Sequence, residues 1–351
     1  MHLLRCSGIC NIVHFVDRVL VLHQNVPLNR FSLKCVDIVH PAIVIGWLLK
    51  VLERGVLDLQ LNISSVLGYS FPSEMFVNET LVRLKIGVGD VLTIDKVTID
   101  KVKHVFLPKV KSLCLDNVMV KYSVFSKLLS GCQALEELVL NNLFEVGGFF
   151  SVSHNTLKRL VVSHSDSCDE HHKNVSFCTP NLVYLVYSDT LADKYPRVDF
   201  NSLVEASTYS RKQIPEFNNL VHLTIKTDTE VSWESLPALL KNCSKLETLG
   251  FHLQFDNCPA WDTSTFLSSN SVTVLKILEF LGVIGDEYNE EQIKQIQLIL
   301  ERMPNLEQLT IYIDQSNEED VYEVIAQLQG HPRVASSKCK IQVIHKIPFA
   351  L

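Results

Sequence analysis

The sequence predicts an α/β solenoid in which short strands stack into a parallel sheet, with helices and loops returning on the other side. Two observations carry this. A three-point apolar spacing recurs from one end of the chain to the other, and 351 residues at 47% hydrophobic content are too many for one ordinary core. The unit is clearest in Ala134–Asn141, where Leu135, Leu138 and Leu140 follow the spacing apolar-x-x-apolar-x-apolar. On an extended segment Leu138 and Leu140 point to one side, and Leu135 closes the turn leading into the strand. One such strand cannot bury its apolar face alone, so the copies must stack.

The same spacing is found at Leu28/Phe31/Leu33, Val56/Leu59/Leu61, Leu81/Leu84/Ile86, Val110/Leu113/Leu115 and Leu157/Leu160/Val162. It continues at Leu182/Leu185/Tyr187, Leu203/Ala206/Thr208, Leu220/Leu223/Ile225, Leu246/Leu249/Phe251, Leu275/Leu278/Phe280 and Leu306/Leu309/Ile311. Apart from the step of 17 after Leu203, successive first positions lie 21 to 31 residues apart. This fits the ~20–29-residue period of leucine-rich repeats better than other repeat periods. The expected architecture is therefore a leucine-rich-repeat horseshoe, its parallel sheet on the concave face and irregular helices and loops on the convex face.

Phe15–Leu22 sets apolar residues at helical spacing with Asp17 and Arg18 opposite, a short helix capping the first repeat. Val26–Cys35 is the expected first strand. Pro41–Arg54, with Ile43, Trp47, Leu48 and Val51, is an amphipathic helix ending near Gly55, and Val56–Ile63 is the second strand. Tyr122–Leu129 is a helix leading through Gly131 and Cys132 into the Leu135 strand. Trp233–Leu240 leads in the same way through Asn242 and Cys243 into the Leu246 strand, and the two blocks are near copies. Their cysteines are expected to pack as small apolar groups. Pro180-Asn181-Leu182 and Pro304-Asn305-Leu306 open strands of the same kind, the proline barring helix continuation. The repeats at Leu157 and Leu203 show no helix pattern and are expected to return through irregular loops.

Between the buried leucines of the Leu135 unit, Glu137, Val139 and Asn141 point outward onto the expected concave face. The same offsets select Arg83, Lys85, Arg159, Tyr184, Tyr209, His222, Lys226, His252 and Tyr312. Stacking aligns these positions into a candidate partner-binding surface, and its arginine and aromatic content suits a protein interface.

Other chemistry is poorly supported. A net charge of -7, with the short basic groupings at Lys101–Lys103 and Lys109–Lys111 broken by apolar residues, argues against nucleic acid. The ten cysteines are scattered without a Cys-x-x-Cys pair, as in a reducing compartment. Leu3–Leu22 is interrupted by Arg5, Asn11, His14, Asp17 and Arg18, and Ala42–Leu52 is too short to span a bilayer, so neither secretion nor membrane insertion is expected. His164, Cys168, His171, His172 and Cys178 hold enough donors for zinc, but their irregular spacing reads as a polar surface loop. Gly87-Val-Gly-Asp90 lacks the pattern of a phosphate loop. Asp314–Asp320 lacks the spacing of a calcium loop and instead leads into a helix over Glu319–Leu328. With no Gly-x-Ser-x-Gly or His-Glu-x-x-His, neither catalysis nor a cofactor or metal is expected.

The run Phe15-Val-Asp-Arg-Val-Leu-Val-Leu-His23, Trp47 before Arg54-Gly-Val-Leu-Asp-Leu59, Phe71-Pro-Ser-Glu-Met-Phe76 and Thr80-Leu-Val-Arg-Leu-Lys85 resembles the plant F-box/FBD/LRR-repeat proteins. Leu107-Pro-Lys-Val-Lys-Ser-Leu113 and Leu129-Ser-Gly-Cys-Gln-Ala-Leu-Glu-Glu-Leu138 continue the resemblance. Val274-Leu-Lys-Ile-Leu-Glu-Phe280, a helix at Glu290–Arg302, Leu306-Glu-Gln-Leu309 and Pro332-Arg-Val-Ala-Ser-Ser-Lys-Cys-Lys-Ile341 resemble the FBD segment of that family. The resemblance implies a non-matching N-terminus at 1–12, repeats over 13–270 and an FBD domain over 271–345. Members usually begin with an F-box, which docks on the Skp-type adaptor of a cullin-RING ubiquitin ligase. Met1–Asn11 is too short to hold one, so adaptor and cullin are expected partners only where an F-box is supplied elsewhere. Two roles follow: the substrate-recognition part of an SCF-type ligase, or an interaction protein that binds targets without recruiting the adaptor. Either places the chain in cytoplasm, nucleus or both.

Overall fold

The computed structural model describes residues 9–22, 26–35, 39–63, 71–87, 97–99, 102–145, 149–163, 174–188, 194–208, 217–226, 240–252, 271–281, 293, 296, 297, 300, 303, 305–314, 328 and 339–344. The elements begin with α1 (Ile9–Leu22), β1 (Arg30–Cys35), α2 (Pro41–Glu53), β2 (Asp58–Ile63), a 3-10 turn at Ser73–Met75, β3 (Arg83–Gly87), β4 (Val97–Ile99), β5 (Ser112–Asp116) and β6 (Val118–Val120). They continue with α3 (Tyr122–Gly131), β7 (Glu137–Asn141), β8 (Phe144–Glu145), β9 (Phe149–Ser153), β10 (Arg159–Ser163), β11 (Asn174–Cys178), β12 (Tyr184–Ser188) and β13 (Lys194–Asp199). The last are β14 (Glu205–Thr208), β15 (His222–Lys226), β16 (Thr248–His252), β17 (Val274–Leu281), β18 (Gln308–Asp314) and β19 (Lys340–Ile344). They form two compact units, the first Met1–Leu182 with Ala192–Phe200, the second Val183–Leu191 with Asn201–Leu351.

In the first unit β1-β2-β3-β5-β7-β10 lie side by side, all parallel and in register. Phe31, Leu59, Leu84, Leu113, Leu138 and Leu160 therefore form one row across the strands, and Leu61, Ile86, Leu115, Leu140 and Val162 a second. Val56, Leu81, Val110, Leu135 and Leu157 stand just ahead of the strands. Each of these side chains is at most 1% exposed. Burying one such side chain contributes roughly 1.5–3 kcal/mol, so the rows are the main source of cohesion.

The backbone locks this register. Leu57 O accepts from both Val82 N (2.7 Å) and Arg83 N (3.0 Å), Lys111 O from Glu136 N (2.9 Å) and Glu137 N (2.8 Å), and Glu136 O from Lys158 N (2.8 Å) and Arg159 N (3.0 Å). A carbonyl has two lone pairs, so one oxygen can satisfy two successive donors of the next repeat. Hydroxyls add a rung: Thr80 Oγ1 donates to Val56 O at 3.0 Å and Thr156 Oγ1 to Leu135 O at 2.7 Å. Asn117 and Asn142 leave β5 and β7 in the left-handed region, φ 53° and 48°, where asparagine is tolerated, and their N–H groups bond Asn141 O and Ser163 O of the next strand.

The second unit repeats the design with β12-β14-β15-β16-β17-β18-β19, again all parallel. Leu223, Leu249, Leu275 and Leu309 form its first inward row and Ile225, Phe251, Ile277 and Ile311 its second. This corrects the spacing read at Leu275/Leu278/Phe280: Val272, Leu275 and Ile277 occupy the three buried positions. The run Val272–Phe280 is apolar at enough positions to fit the template twice, and pairing with β16 selects the phase. The Leu203/Ala206/Thr208 copy is a true strand, β14, despite its short step.

Helices follow the sequence closely. α2 begins with Pro41 at its first position and His40 Nδ1 accepting from Ala42 N (3.3 Å), and it stops before Gly55 at φ 68°. α1 is longer than expected, from Ile9, since no breaker lies between Ile9 and Phe15. It packs Val16 and Leu20 inward, Asp17 Oδ1 accepts from Trp47 Nε1 (2.9 Å), and the Arg54 guanidinium donates to Leu20 O. β1 starts only at Arg30, past Pro27. Ile293, Ile296 and Leu300 are helical and buried, as the expected Glu290–Arg302 helix requires. The expected helices at Trp233–Leu240 and Glu319–Leu328 lie outside the described residues except at Leu240 and Leu328.

The near-copied blocks share backbone geometry. Cys132 N bonds Leu129 O and Leu135 N bonds Cys132 O at 3.2 and 3.1 Å; Cys243 N bonds Leu240 O and Leu246 N bonds Cys243 O at 3.1 and 3.2 Å. Thr179 and Met303 take the cysteine's place in the proline-led repeats, accepting from Leu182 N (3.0 Å) and Leu306 N (3.2 Å). Both cysteines are buried, which pushes their thiols up to about 12 and keeps them as neutral packing groups. At Gly131 an added Cβ would lie 2.4 Å from Val105 Cγ1, so only glycine admits this approach.

The returns ahead of the Leu157 and Leu203 strands differ from the irregular loops expected, and the return ahead of the Leu182 strand is built like them. They are strands, β9, β11 and β13, in a second parallel sheet in the first unit, and β4-β6-β8 form a third. A buried return too short for a helix must still satisfy its backbone, and successive extended returns do so by pairing. Phe125 of α3 stacks on Phe150 of β9 at 5.9 Å, Phe150 meets Phe177 of β11 edge-on at 6.3 Å, and Phe177 meets Phe200 at 5.4 Å. This ring column fills the space that a helix fills elsewhere.

Leu138→Asp places an unpaired charge at a 0%-exposed position and is expected to give insoluble protein, whereas Glu137→Leu stays soluble. Soluble expression of the pair checks this, and the reverse result would put every strand face out by one residue. A second expectation concerns pH. His154 Nε2 donates to Cys132 O at 2.9 Å while Nδ1 faces Thr156 N–H at 3.4 Å, a neutral tautomer held below the ordinary histidine value of 6.5 by burial. The unfolded chain takes up this proton first, so the contribution is complete above about pH 6.5 and is lost as pH falls. Urea unfolding between pH 5 and 8 should show this slope, and His154→Gln should flatten it.

Candidate functional site

In the strands of the two leucine-row stacks, the first, third and fifth residues alternate with the inward rows and stand on the other face. Across the first unit the first-position row reads Arg30, Asp58, Arg83, Ser112, Glu137, Arg159. Its charges are paired. Asp58 Oδ2 lies 3.5 Å from Arg30 Nε and 3.7 Å from Arg83 Nη1. Gln60 Nε2 donates to Asp58 Oδ1 and Gln60 Oε1 accepts from Arg30 Nη2, both at 3.2 Å. Further along, Ser112 Oγ donates to Glu137 Oε2 at 2.7 Å, and Glu137 Oε1 lies 3.4 Å from Arg159 Nε. Arg83, Glu137 and Arg159 thus share one row, and each is held by a neighbouring strand. The Arg83 side chain remains 67% exposed against 12% for Asp58, so the cation is the reachable member of that pair. Arg30, Asp58 and Ser112 were not singled out from the sequence, although the same offset from Leu28, Val56 and Val110 would have found them.

Below this row Lys85 stands beside Cys114 and Val139, and the fifth positions bring together Gly87, Asp116, Asn141 and Ser163. Ser163 Oγ donates to Asn141 Oδ1 at 2.9 Å. At Gly87 an added Cβ would lie 3.1 Å from Asp116 Cβ, so the aspartate occupies the space a larger residue would take. Burial raises the Asp116 carboxyl, with Lys85 acting against it. Burial also pushes the Cys114 thiol to about 11, so it is protonated near neutrality and a poor nucleophile. A separate outer line, Lys111–Glu136–Lys158, has both lysines 3.2 Å from the glutamate, which they hold below the usual carboxylate range through hydrogen bonds and charge.

In the second unit Tyr184, Glu205, His222 and Thr248 stand in the first-position row. His222 is exposed, and Tyr184 and Tyr312 are half-buried. Lys226 and His252 face each other in register at fifth positions, and Tyr312 lies opposite Ile344. The side chains of Lys226 and His252, and all of Tyr209, lie outside the described residues. So do residues 164–173 of the cysteine–histidine cluster, 88–90 of the glycine turn and 315–327 of the acidic stretch. Among the described residues no group of three or more His, Cys, Asp or Glu is placed to hold a metal ion, and no helix is long and apolar enough to cross a membrane.

What this arrangement offers chemically is a set of outward rows on a rigid sheet: charged and hydroxyl groups in the first unit, an aromatic and a histidine in the second. The Glu137–Arg159 pair is only half-buried, with side chains 39% and 33% exposed, so solvent screens it and a double-alanine cycle should give a coupling of about 0.2–1 kcal/mol in thermal unfolding. A coupling several times larger would mean that the row is structural and not a free surface.

Residues 44–201 match the family model described as FBD-associated F-box protein At5g56370, LRR repeats. F-box/LRR-repeat protein At3g59200 of Arabidopsis thaliana is 42% identical, over 95% of this chain and 76% of its own length. F-box/LRR-repeat protein At4g14096, also from Arabidopsis thaliana, is 42% identical over 95% of this chain and 82% of its own. Putative F-box/FBD/LRR-repeat protein At3g59240 of the same plant is 39% identical over 94% and 76%. No solved structure matches the chain. With such identity over nearly its whole length, and with leucine rows buried strand after strand, the chain belongs to the plant F-box/LRR-repeat protein family.

Proposed function

We propose that this chain is the substrate-recognition part of an SCF-type, cullin-RING ubiquitin ligase. Its repeats bind a protein target through the outward face of the parallel strands. The observation that carries this reading is the in-register stacking, which lines up Arg83, Glu137 and Arg159 in one row and Tyr184 and His222 in another while the alternate residues are buried. Rows of arginine and aromatic side chains on an ordered backbone favour protein recognition, because little conformational freedom is lost on binding. Family membership supports the ligase half of the reading. An F-box, wherever it is supplied, would bring the Skp-type adaptor and cullin, and the work would be done in cytoplasm or nucleus. The role is recognition, with no cofactor.

Affinity capture of the chain from plant tissue, scoring adaptor, cullin and all other bound proteins, tests this. Adaptor and cullin in stoichiometric amounts together with a specific target is the expected result. A specific target without them would make the chain a binder that does not deliver its target. The Arg159→Ala/Tyr184→Ala/His222→Ala variant should lose the target while melting within a few degrees of the parent. Unchanged capture by this variant would remove the outward face from the interface.

A further inference from the structure

Strands β1 to β3 carry an excess of positive charge in a chain whose net charge is -7. Their outward positions hold Arg30, Lys34, Arg83 and Lys85 against one carboxylate, Asp58, which both arginines share at 3.5 and 3.7 Å. Among the described residues neither Lys34 nor Lys85 makes an ion pair, although Asp116 on β5 lies within electrostatic reach of Lys85. The outward positions of β5, β7 and β10 reverse the balance, with Asp116 and Glu137 against Arg159. The positive field is therefore confined to one end of this sheet face.

The spacing of these cations is set by the sheet. Adjacent strands lie ~4.8 Å apart, so Arg30 and Arg83 stand about 10 Å from each other, and Arg83 and Lys85, two residues apart, are separated by about 7 Å. A peptide extended along β3 repeats its side chains on one side at the same ~7 Å interval. Carboxylates on alternate residues can then meet Arg83 and Lys85 together, with Lys34 and Arg30 within reach of the long stems of neighbouring acids. A guanidinium that shares its carboxylate with another keeps donors for a second one.

We propose that the outward face of β1–β3, through Arg30, Lys34, Arg83 and Lys85, docks an acidic segment of the partner protein with carboxylates on alternate residues. This rests on the reading that the outward sheet face is the recognition surface.

The probe is a fluorescein-labelled ten-residue peptide alternating Glu with Ser, compared with its Gln-for-Glu counterpart by fluorescence anisotropy on the purified full chain. The acidic peptide should bind and the Gln peptide should not, and affinity should fall between low and physiological salt as screening sets in. Arg83→Gln with Lys85→Gln should weaken binding roughly tenfold, whereas Lys158→Gln, a cation outside the patch, should not change it. If the first pair melts well below the parent, Arg30→Gln with Lys34→Gln reads the same patch. Equal binding of the two peptides, no binding of the acidic one, or an equal loss in Lys158→Gln would overturn the proposal. These outcomes are separate from the capture experiment. Absence of adaptor and cullin there removes the ligase role without touching peptide binding. Failure here, while the Arg159/Tyr184/His222 variant still loses its target, removes only the acidic character of the partner.

Discussion

Everything in this protein depends on strands that pair in parallel without slipping. In a strand successive side chains alternate faces, so a one-residue slip would turn a buried leucine row outward and a charged row inward. Two devices prevent this. The rows at Leu59, Leu84, Leu113, Leu138 and Leu160 bury identical or similar side chains opposite one another, and single carbonyls such as Leu57 O and Lys111 O each grip two consecutive N–H groups of the next repeat. The first device supplies the energy and the second the register.

Away from the sheet the constraint is weaker: the chain has only to return, bury its apolar side and pair its backbone. α2 and α3 meet it with internal hydrogen bonds, and β9, β11 and β13 meet it by pairing with one another around a column of phenylalanines. The hydrogen-bond frame just ahead of the strand stays the same whether cysteine, threonine or methionine provides it, as Cys132, Cys243, Thr179 and Met303 show. Variation in the returns therefore does not disturb the outward rows.

Packing constrains the solvent-reached positions of the outward rows far less than the leucine rows, although Val161, Ser207 and Thr310 show that some outward positions are buried too. Leu138 has one acceptable chemistry, whereas Glu137 beside it needs only to suit Ser112 and Arg159. The uneven charge of the first unit's face is a consequence of this freedom, with two arginines around one aspartate at one end and a mixed, nearly balanced row at the other.

The repeat spacing by itself determined the parallel strand stack, the buried leucines and which residues face outward, since alternation is a local property of extended chain. It also located α2 with its Pro41 start and Gly55 stop, signals that act within one turn. Three things required the tertiary structure. The phase of the Val272–Phe280 run depended on pairing with β16, because its composition satisfies two registers. The second parallel sheet depended on returns from different repeats meeting, although the alternation in Phe149–Ser153 and Asn174–Cys178 hinted at strands. The pairing of Arg83 with Asp58 and of Arg159 with Glu137 depended on which repeat stacks on which. Contacts between residues some 22 to 25 positions apart are set by the stacking of one repeat on the next, and nothing within a single repeat encodes them.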